Sequence, residues 1–507
     1  MNTAAAVSLD RVSRVVGYSV KKGDFAAQSP NLPQRIAIFA EVNHANQSGL
    51  DTDPTEITSL RQAGQLYGYG SPIYNIMRIL RPRTSDGVGA IPTIVFPQAA
   101  AVGAAAKMLA IVPTGTANAN GTHNVIIAGR DNVDGESYAI NIASGDSAAT
   151  IVGKIVDAIN NVLGSPVDAA NWTYEAVLTS KWRGLTANDI TVRIDTNDNA
   201  LGITYVINGI QNGSGTPDLG ASLLKVGNVW YTIVINAYGL IASAMNAFQD
   251  FNGIPDPEIP TGRYAGIVFK PFVALSGYCG NDPSAITDAR LNDVTIVACV
   301  APNSEGLPME AAANYGVLFA VVAQNFPELD IAGKSLPDMP IPADSDIGSM
   351  ADYNNRDIIV KKGSSTVELV AGKYQVQDFV ATYHKLGEEP PQFRYVRNLN
   401  LDWNVRYGYF LLEQINVLDH AIAEDDDVVN VTKVVKPKMW KSVLDDYATS
   451  LASRALIVEP VFMQQSIQVG IGTTNPDRFE TTFRYKRSGF VRVAATVAEA
   501  GFNFGSV

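Results

Sequence analysis

Four histidines, two cysteines and one run of carboxylates are the side chains of this sequence best suited to hold a metal or attack a substrate. Their spacing does not support either role. His44, His123, His384 and His420 are scattered, no H-E-x-x-H occurs, and no local spacing fits a zinc site. His384 follows Tyr383 at the end of a strand-like run and reads as structural. Cys279 and Cys299 lie beside apolar runs and read as inert core thiols. The run Glu424 to Asp427 could attract a cation, but it lacks the alternating ligands and glycine of a calcium loop and reads as a solvated loop between helices. The nearest approach to a phosphate loop is Gly333-Lys334-Ser335, with Glu328 where the first glycine belongs. Glycine-rich residues 209–220 lack the Lys-Ser/Thr pair and read as a turn, and no G-x-S-x-G elbow is present. The local motifs therefore predict no catalytic residue, no metal, no cofactor and no enzyme.

Composition narrows the class further. At roughly 100–200 residues per domain, 507 residues suggest three or four domains. Charged residues make up 17%, low against a typical ~25%. The net charge is −12 and the isoelectric point about 4.9, without a basic block, which argues against direct nucleic-acid binding. Two cysteines exclude a disulfide framework. A surface poor in charge and rich in Ala, Gly, Thr, Val and Asn suits a chain largely covered by copies of itself. The N-terminal residues show no basic segment followed by an apolar core, so no secretory signal is read there. Residues 91–113 imitate a membrane span, but Pro92, Pro97, Gly103 and Lys107 interrupt it; a buried strand followed by a flexible or domain-joining segment is expected. The chain reads as soluble, with no membrane partner, made in a cytoplasm.

The elements predict an α/β (mixed α+β) multidomain protein. Residues 1–30 read as an extended arm and 31–100 as the first part of a core. In that part RIAIFAEV (35–42) is a strand, Thr55 caps a first helix carrying Ile57, Leu60 and Leu66, a second helix carries Ile73, Ile76, Met77 and Leu80, and PTIVF (92–96) is a strand. Residues 101–238 read as an inserted β-rich domain, with strand runs from HNVIIAG to WYTIVIN and one helix capped by Asp146 or Ser147 with Ile151, Ile155, Ile159 and Val162 as its stripe. Residues 239–378 return to α/β texture: a helix ending at Gly253, strands in YAGIVFKPFVAL and DVTIVACVAP, a helix over 308–326, a proline-rich loop over 327–346, and strand-like IIVKKG and VELVAGKYQVQDFVATY.

Residues 379–507 form the C-terminal part. One helix begins at Asp402 as cap and carries Trp403, Tyr407, Phe410, Leu411, Gln414, Leu418 and Ile422 on one face. Another opens at Pro437 and carries Trp440, Val443, Leu444, Tyr447 and Leu451. The chain closes with alternating residues around Ser488-Gly489, which predicts a long β-hairpin.

Several of these segments resemble contractile phage tail sheath proteins. They are PQRIAIFAEVNHANQ with the following Leu-Tyr-Gly-Tyr-Gly-Ser-Pro (66–72), GESYAINIASGDSAATIVGKIVDAINNVLGSPVDAANW in the insertion, GRYAGIVF, and GEEPPQFRYVRNLNLDWNVRYGYFLLEQINVLDHAIA. The resemblance runs in order over nearly the whole chain. It implies a sheath core built from discontinuous segments, an inserted β-rich domain on the outer surface and extended terminal arms. It further implies hexameric rings stacked helically around an inner tail tube, and a change from a long, narrow state to a short, wide one. The partners implied are further copies of the chain, the tube protein, and baseplate and tail terminator proteins, in a virion tail assembled in the host cytoplasm. Terminal arms would complete sheets on neighbouring copies by strand addition. Their strand residues here would be Val12, Val15, Val16, Tyr18 and Val20, and Phe483, Tyr485, Phe490, Val491 and Val493. The opposing reading pairs both termini within their own subunit. The helix touching the tube would be the Pro437 helix, where Lys436, Lys438 and Lys441 form a basic rim with Lys433; alternatively they are a solvated face, with Lys441 pairing Asp445. A sheath from a bacterial contractile injection device fits the same residues, and a soluble α/β enzyme is the alternative of another class.

Overall fold

Ile-Ala-Ile-Phe-Ala-Glu forms β1 (Ile36–Glu41), and every one of its residues is buried. The structure is a computed structural model that describes residues 30–84, 87–256, 258–388, 391–498 and 500. Val12, Val15, Val16, Tyr18 and Val20 lie outside the described residues. Contacts divide the chain into two compact units, one built mainly from Val405–Lys486 and the other from Pro33–Asn404 with Arg487 and the residues after it. The insertion and the core share the second of these.

In the larger unit β1 is followed by β2 (Thr55–Glu56), α1 (Leu60–Tyr67), α2 (Pro72–Leu80) and β3 (Thr93–Gln98). Thr55 is not the cap expected for α1: it pairs with Val95, and extended Ser59 accepts from Gln62 N instead. Leu66 is exposed rather than part of the core face. Ser71 caps α2 with Pro72 as first residue, and all nine residues of that helix are buried.

The insertion holds β4 (Ala106–Gly115), β5 (Gly121–Ile127), β6 (Asn132–Val133), β7 (Glu136–Ser137), β8 (Ala139–Ile142), α3 (Ala148–Asn160), β9 (Val167–Asn171), β10 (Ala176–Arg183), β11 (Val192–Asp195) and β12 (Ile203–Gln211). They build a four-stranded sheet in the order β12-β4-β10-β9 and a three-stranded sheet in the order β11-β5-β8. The segment expected to be flexible after residue 97 contains β4, hydrogen-bonded on both sides. Ser147 is the cap of α3, and Ile151, Ile155, Ile159 and Val162 are buried as expected.

The chain then forms α4 (Gly220–Leu224), β13 (Ile233–Asn236), α5 (Ala242–Asn252), β14 (Val273–Tyr278), α6 (Ser284–Thr287), β15 (Ile296–Val300), α7 (Pro308–Asn325), α8 (Tyr353–Lys361), β16 (Thr366–Val370) and β17 (Lys373–Asp378). The core sheet runs β15-β14-β13-β1-β3-β2, with all strands parallel except edge strand β2. The sequence pattern groups WYTIVIN with the insertion, but its IVIN is β13, between β1 and β14. Burial on both faces is the reason: these residues suit a central parallel strand. One face carries Phe39, Phe96, Phe248, Tyr231 and Met245, with Phe39 stacked on Phe96 at 4.6 Å. On the other face α7 packs on β13 and β14. Gly316 permits that approach, because a Cβ there would lie 2.6 Å from Ile235 Cδ1.

Three further expectations change. In YAGIVFKPFVAL only Val273 onward is strand; Ile267 is fully exposed in a turn before Pro271. IIVKKG is the end of helix α8, which Asp352 caps through Asn354 N and Asn355 N; its Ile359 and Val360 are buried and Ile358 is exposed. The helix expected from Asp402 is α9 (Val396–Asn416), so Asp402 is interior and Leu418 and Ile422 lie beyond its end.

In the smaller unit α10 (Pro437–Ser453) buries Trp440, Leu444, Tyr447 and Leu451, as the spacing predicted, whereas Val443 of the same stripe is only half-buried. It is followed by α11 (Pro460–Ser466). The terminal hairpin does not form among the described residues. Strand Phe479–Thr482 pairs with Gln468–Ile471, and no strand follows Ser488-Gly489 among the described residues. Arg397 provides the physical reason, donating to both Ser488 O and Ser488 Oγ at 2.6 Å and so occupying the would-be turn.

Candidate functional site

In an open parallel sheet ligands bind beyond the carboxyl ends of the strands, where the winding direction reverses. Here that point lies between β1 and β13, since β3 continues on one side of β1 and β14 and β15 on the other side of β13. The polar side chains at this place are mostly turned on the protein itself. Asn236 Nδ2 donates to Gly239 O and Ser276 Oγ, each at 2.9 Å. Gln98 Nε2 donates to Ser222 Oγ at 2.9 Å and Phe96 O at 2.8 Å. The base of the insertion closes over the end of β1: Gly184 N donates to Ala105 O, and Leu185 N to Gly215 O. A methyl on Gly184 would stand 3.0 Å from Glu41 Oε1.

Glu41 is the exception. It ends β1, is 2% exposed, and neither carboxyl oxygen has a hydrogen-bond partner among the described residues. Burial alone raises its pKa to about 8. The Tyr238 hydroxyl, also buried, is pushed up by burial and then by Glu41. Burial thus favours the neutral form of the Glu41 carboxyl beneath the insertion's base.

A second polar cluster joins the insertion to the core. Arg130, in the turn after β5, donates to Asp338 Oδ1 at 2.8 Å and Glu310 Oε2 at 3.4 Å. Arg78 of α2 pairs with the same two carboxylates, at 2.7 Å for Asp338. Glu310 lies in the first turn of α7, where its carboxylate also accepts from Leu307 N. Burial lowers the Arg130 pKa, but Glu310 and Asp338 outweigh it and the net direction is up. Closer to the surface, Arg193 Nε reaches Glu305 at 2.9 Å, and Thr191 donates to Glu305 O. No local motif marked Arg78, Arg130, Glu310 or Asp338, which come from four separate stretches of chain.

The histidines have structural partners, and Cys299 is a buried core thiol as expected, whereas Cys279 is only half-buried. His123 is buried between Tyr205 OH at 2.7 Å and Asn199 O at 2.9 Å. His384 bonds Thr382 O and Asp288. Burial raises the pKa of both cysteine thiols. No group of three or more His, Cys, Asp or Glu suited to a metal occurs among the described residues. No helix among them is long and apolar enough to cross a membrane.

The basic rim and the acidic run of the smaller unit fold onto each other. Lys436 Nζ donates to Asp425 O at 3.3 Å and to Asp427 O. Lys438 N donates to Asp425 Oδ1 at 2.8 Å, and its ammonium lies 4.0 Å from Asp425 and from Asp426. Lys441 is exposed, and its suggested pairing with Asp445 is not among the ion pairs of the described residues. Phe483 packs on Tyr409 at 5.5 Å and on Tyr485 at 6.4 Å, inside the same unit. Phe490 is half-buried, whereas Val491 and Val493 are exposed.

The fold is therefore that of a parallel-sheet α/β protein whose customary ligand crevice is closed by its own β-rich insertion. No protein-family model matches the chain. The chain is 23% identical over 443 residues to the Mu-like prophage FluMu tail sheath protein of Haemophilus influenzae, covering 84% of each. It is also similar to the sheath tail protein of Desulfitobacterium hafniense (12% identity, 93% of this chain and 100% of the other, TM-score 0.44) and to that of Listeria innocua (12%, 91% and 94%, TM-score 0.45). The sequence match supports a place among phage tail sheath proteins, in line with the resemblance of its ordered segments.

Proposed function

We propose that the chain is the structural subunit of a contractile tail, polymerising as stacked hexameric rings around an inner tube and contracting to drive that tube through a host envelope. The observation that carries this reading is the ordered similarity to a tail sheath protein over 84% of both chains. The role is structural rather than catalytic. The partners are further copies of the chain, the tube protein, and baseplate and terminator proteins, and the place of action is the virion tail after assembly in the host cytoplasm.

Residues 12–20 act as a strand added to a neighbouring copy, and Val491 and Val493 present apolar side chains outward from the C-terminal segment. Lys441, exposed beside the braced Lys436 and Lys438, is the strongest of the three for a tube contact. Negative-stain electron microscopy of the purified protein, with and without the tube protein, tests the reading. Hollow striated cylinders support it. Small uniform particles under both conditions overturn it. Deleting residues 1–20 should leave a folded monomer that forms no array; normal polymerisation would refute the N-terminal arm.

A further inference from the structure

Three arginines fasten one short stretch of the C-terminal segment to the larger unit. Arg487 makes a two-pronged pair with Asp402, Nε to Oδ1 at 2.8 Å and Nη2 to Oδ2 at 2.6 Å. Arg397 of α9 holds Ser488 through its carbonyl and its hydroxyl. Arg492 pairs with Asp330, whose side chain is 0% exposed, and stacks 3.7 Å above the centre of the Tyr395 ring. The Phe490 ring lies 5.2 Å from the same guanidinium. Planar, charge-assisted and partly buried contacts of this type are costly to withdraw one at a time.

The character changes immediately afterwards. Val491 and Val493 are 81% and 80% exposed. Residues 494–498 are all exposed, and none of them makes a backbone–backbone hydrogen bond among the described residues.

We propose that Arg397, Arg487 and Arg492 form a clamp that fixes the root of the C-terminal arm at Arg492, so that only the residues from Val493 onward reach a neighbouring copy. The proposal rests on the reading of the chain as a self-assembling subunit. The clamp sets the reach of the arm. An extended chain covers at most about 3.5 Å per residue, so the place of the root decides how far the arm extends. Release back to Arg487 would add five residues, about 17 Å. An arm rooted at Arg492 keeps connected subunits within a fixed distance of one another.

Trypsin must draw an arginine side chain into its pocket, so it distinguishes an arginine held in a partly buried clamp from an exposed one such as Arg478, whose pair with Glu480 lies at the surface. In the intact, unassembled chain, cleavage after Arg478, whose side chain is 66% exposed, should be at least about tenfold faster than after Arg492. Asp330→Asn should bring the two rates within about threefold, since the charge pair is lost. If that variant does not fold, Tyr395→Leu removes the stacking surface and should raise cleavage after Arg492 in the same direction. Equal cleavage at both sites in the unmodified chain overturns the clamp. A chain ending at Arg492 should melt with the intact protein but fail to join copies; assembly like that of the intact chain overturns the position of the root. Proteolysis reads the clamp without polymer. Failure of the unmodified chain to polymerise with its tube protein would instead overturn the sheath reading.

Discussion

Arg130 and Glu310 are 180 positions apart in the sequence and meet at 3.4 Å beneath the surface of the larger unit. One comes from the β-rich insertion and the other from the first turn of α7, and Arg78 and Asp338 complete the cluster. Arg130→Met should therefore cost about 3 kcal/mol, because the buried Glu310 loses one of its two cations. Arg193→Met, which breaks a more exposed pair with Glu305, should cost less than about 1 kcal/mol. Urea unfolding midpoints of the two variants check the contrast.

Glu41 gives the fold a pH dependence of known sign. Its folded pKa is raised from 4.5 to about 8, so the folded state binds the proton more tightly than the unfolded one. The associated stability is fully present below pH 4.5 and is lost as pH rises to about 8. At about 1.4 kcal/mol per unit, the upper bound is about 5 kcal/mol. Asp189, raised by burial to about 6 with Lys107 opposing, acts with the same sign over a narrower range. Glu41→Gln should flatten the fall in melting temperature between pH 5 and 8; an unchanged slope would refute the assignment.

Gly184 adopts φ +130 and faces Glu41 Oε1 and Gly215 O. Gly184→Ala combines a strained backbone with a close contact and should cost about 1–3 kcal/mol. Gly209→Ala, where a Cβ meets nothing within 4 Å, is the control and should stay within about 1 kcal/mol in the same thermal melt.

The three lysines should separate. Lys436→Ala removes donors to two carbonyls of the acidic loop and should cost about 1 kcal/mol of stability. Lys441→Glu should leave the melting temperature unchanged while weakening sedimentation with the tube protein, more so at low salt. A Lys441→Glu chain that co-sediments normally would remove the basic-rim contact.

Much of the core was legible because local pattern and final environment agreed. β1, β3, β15 and α7 read correctly from apolar runs and from a proline at the helix start. The stripes of α3 and α10 followed from spacing alone. Errors arose where β-branched residues served a different partner. Ile358–Ile359–Val360 resembles a strand, yet Asp352 caps a helix there. Ile233–Val234–Ile235 resembles its neighbours in the insertion, yet it pairs with β1. Alternation around Ser488-Gly489 suggested a hairpin, but Arg397 claims that turn.

The candidate sites divide in the same way. Short-range chemistry could be examined in the sequence: the scattered histidines, the two cysteines and the lysines of α10 were all visible as types and spacings. The Lys436 and Lys438 contacts with the acidic run lay within a few residues of being legible, since the two stretches are near neighbours in sequence. The Arg78–Arg130–Glu310–Asp338 cluster and the three-arginine clamp were not legible, since each joins residues from distant stretches of chain.

The sequence by itself determined the class: an acidic, charge-poor α/β chain with an inserted β-rich region, whose ordered segments resemble tail sheath proteins. Periodicity and composition are local properties, and they survive folding unchanged. Only the tertiary structure decided that β13 is a central core strand, that the base of the insertion buries Glu41, and that the C-terminal segment is held as far as Arg492. Those outcomes depend on which distant groups share a low-dielectric interior, where an unpaired charge is costly and the matching partner cannot be read from its neighbours in the chain.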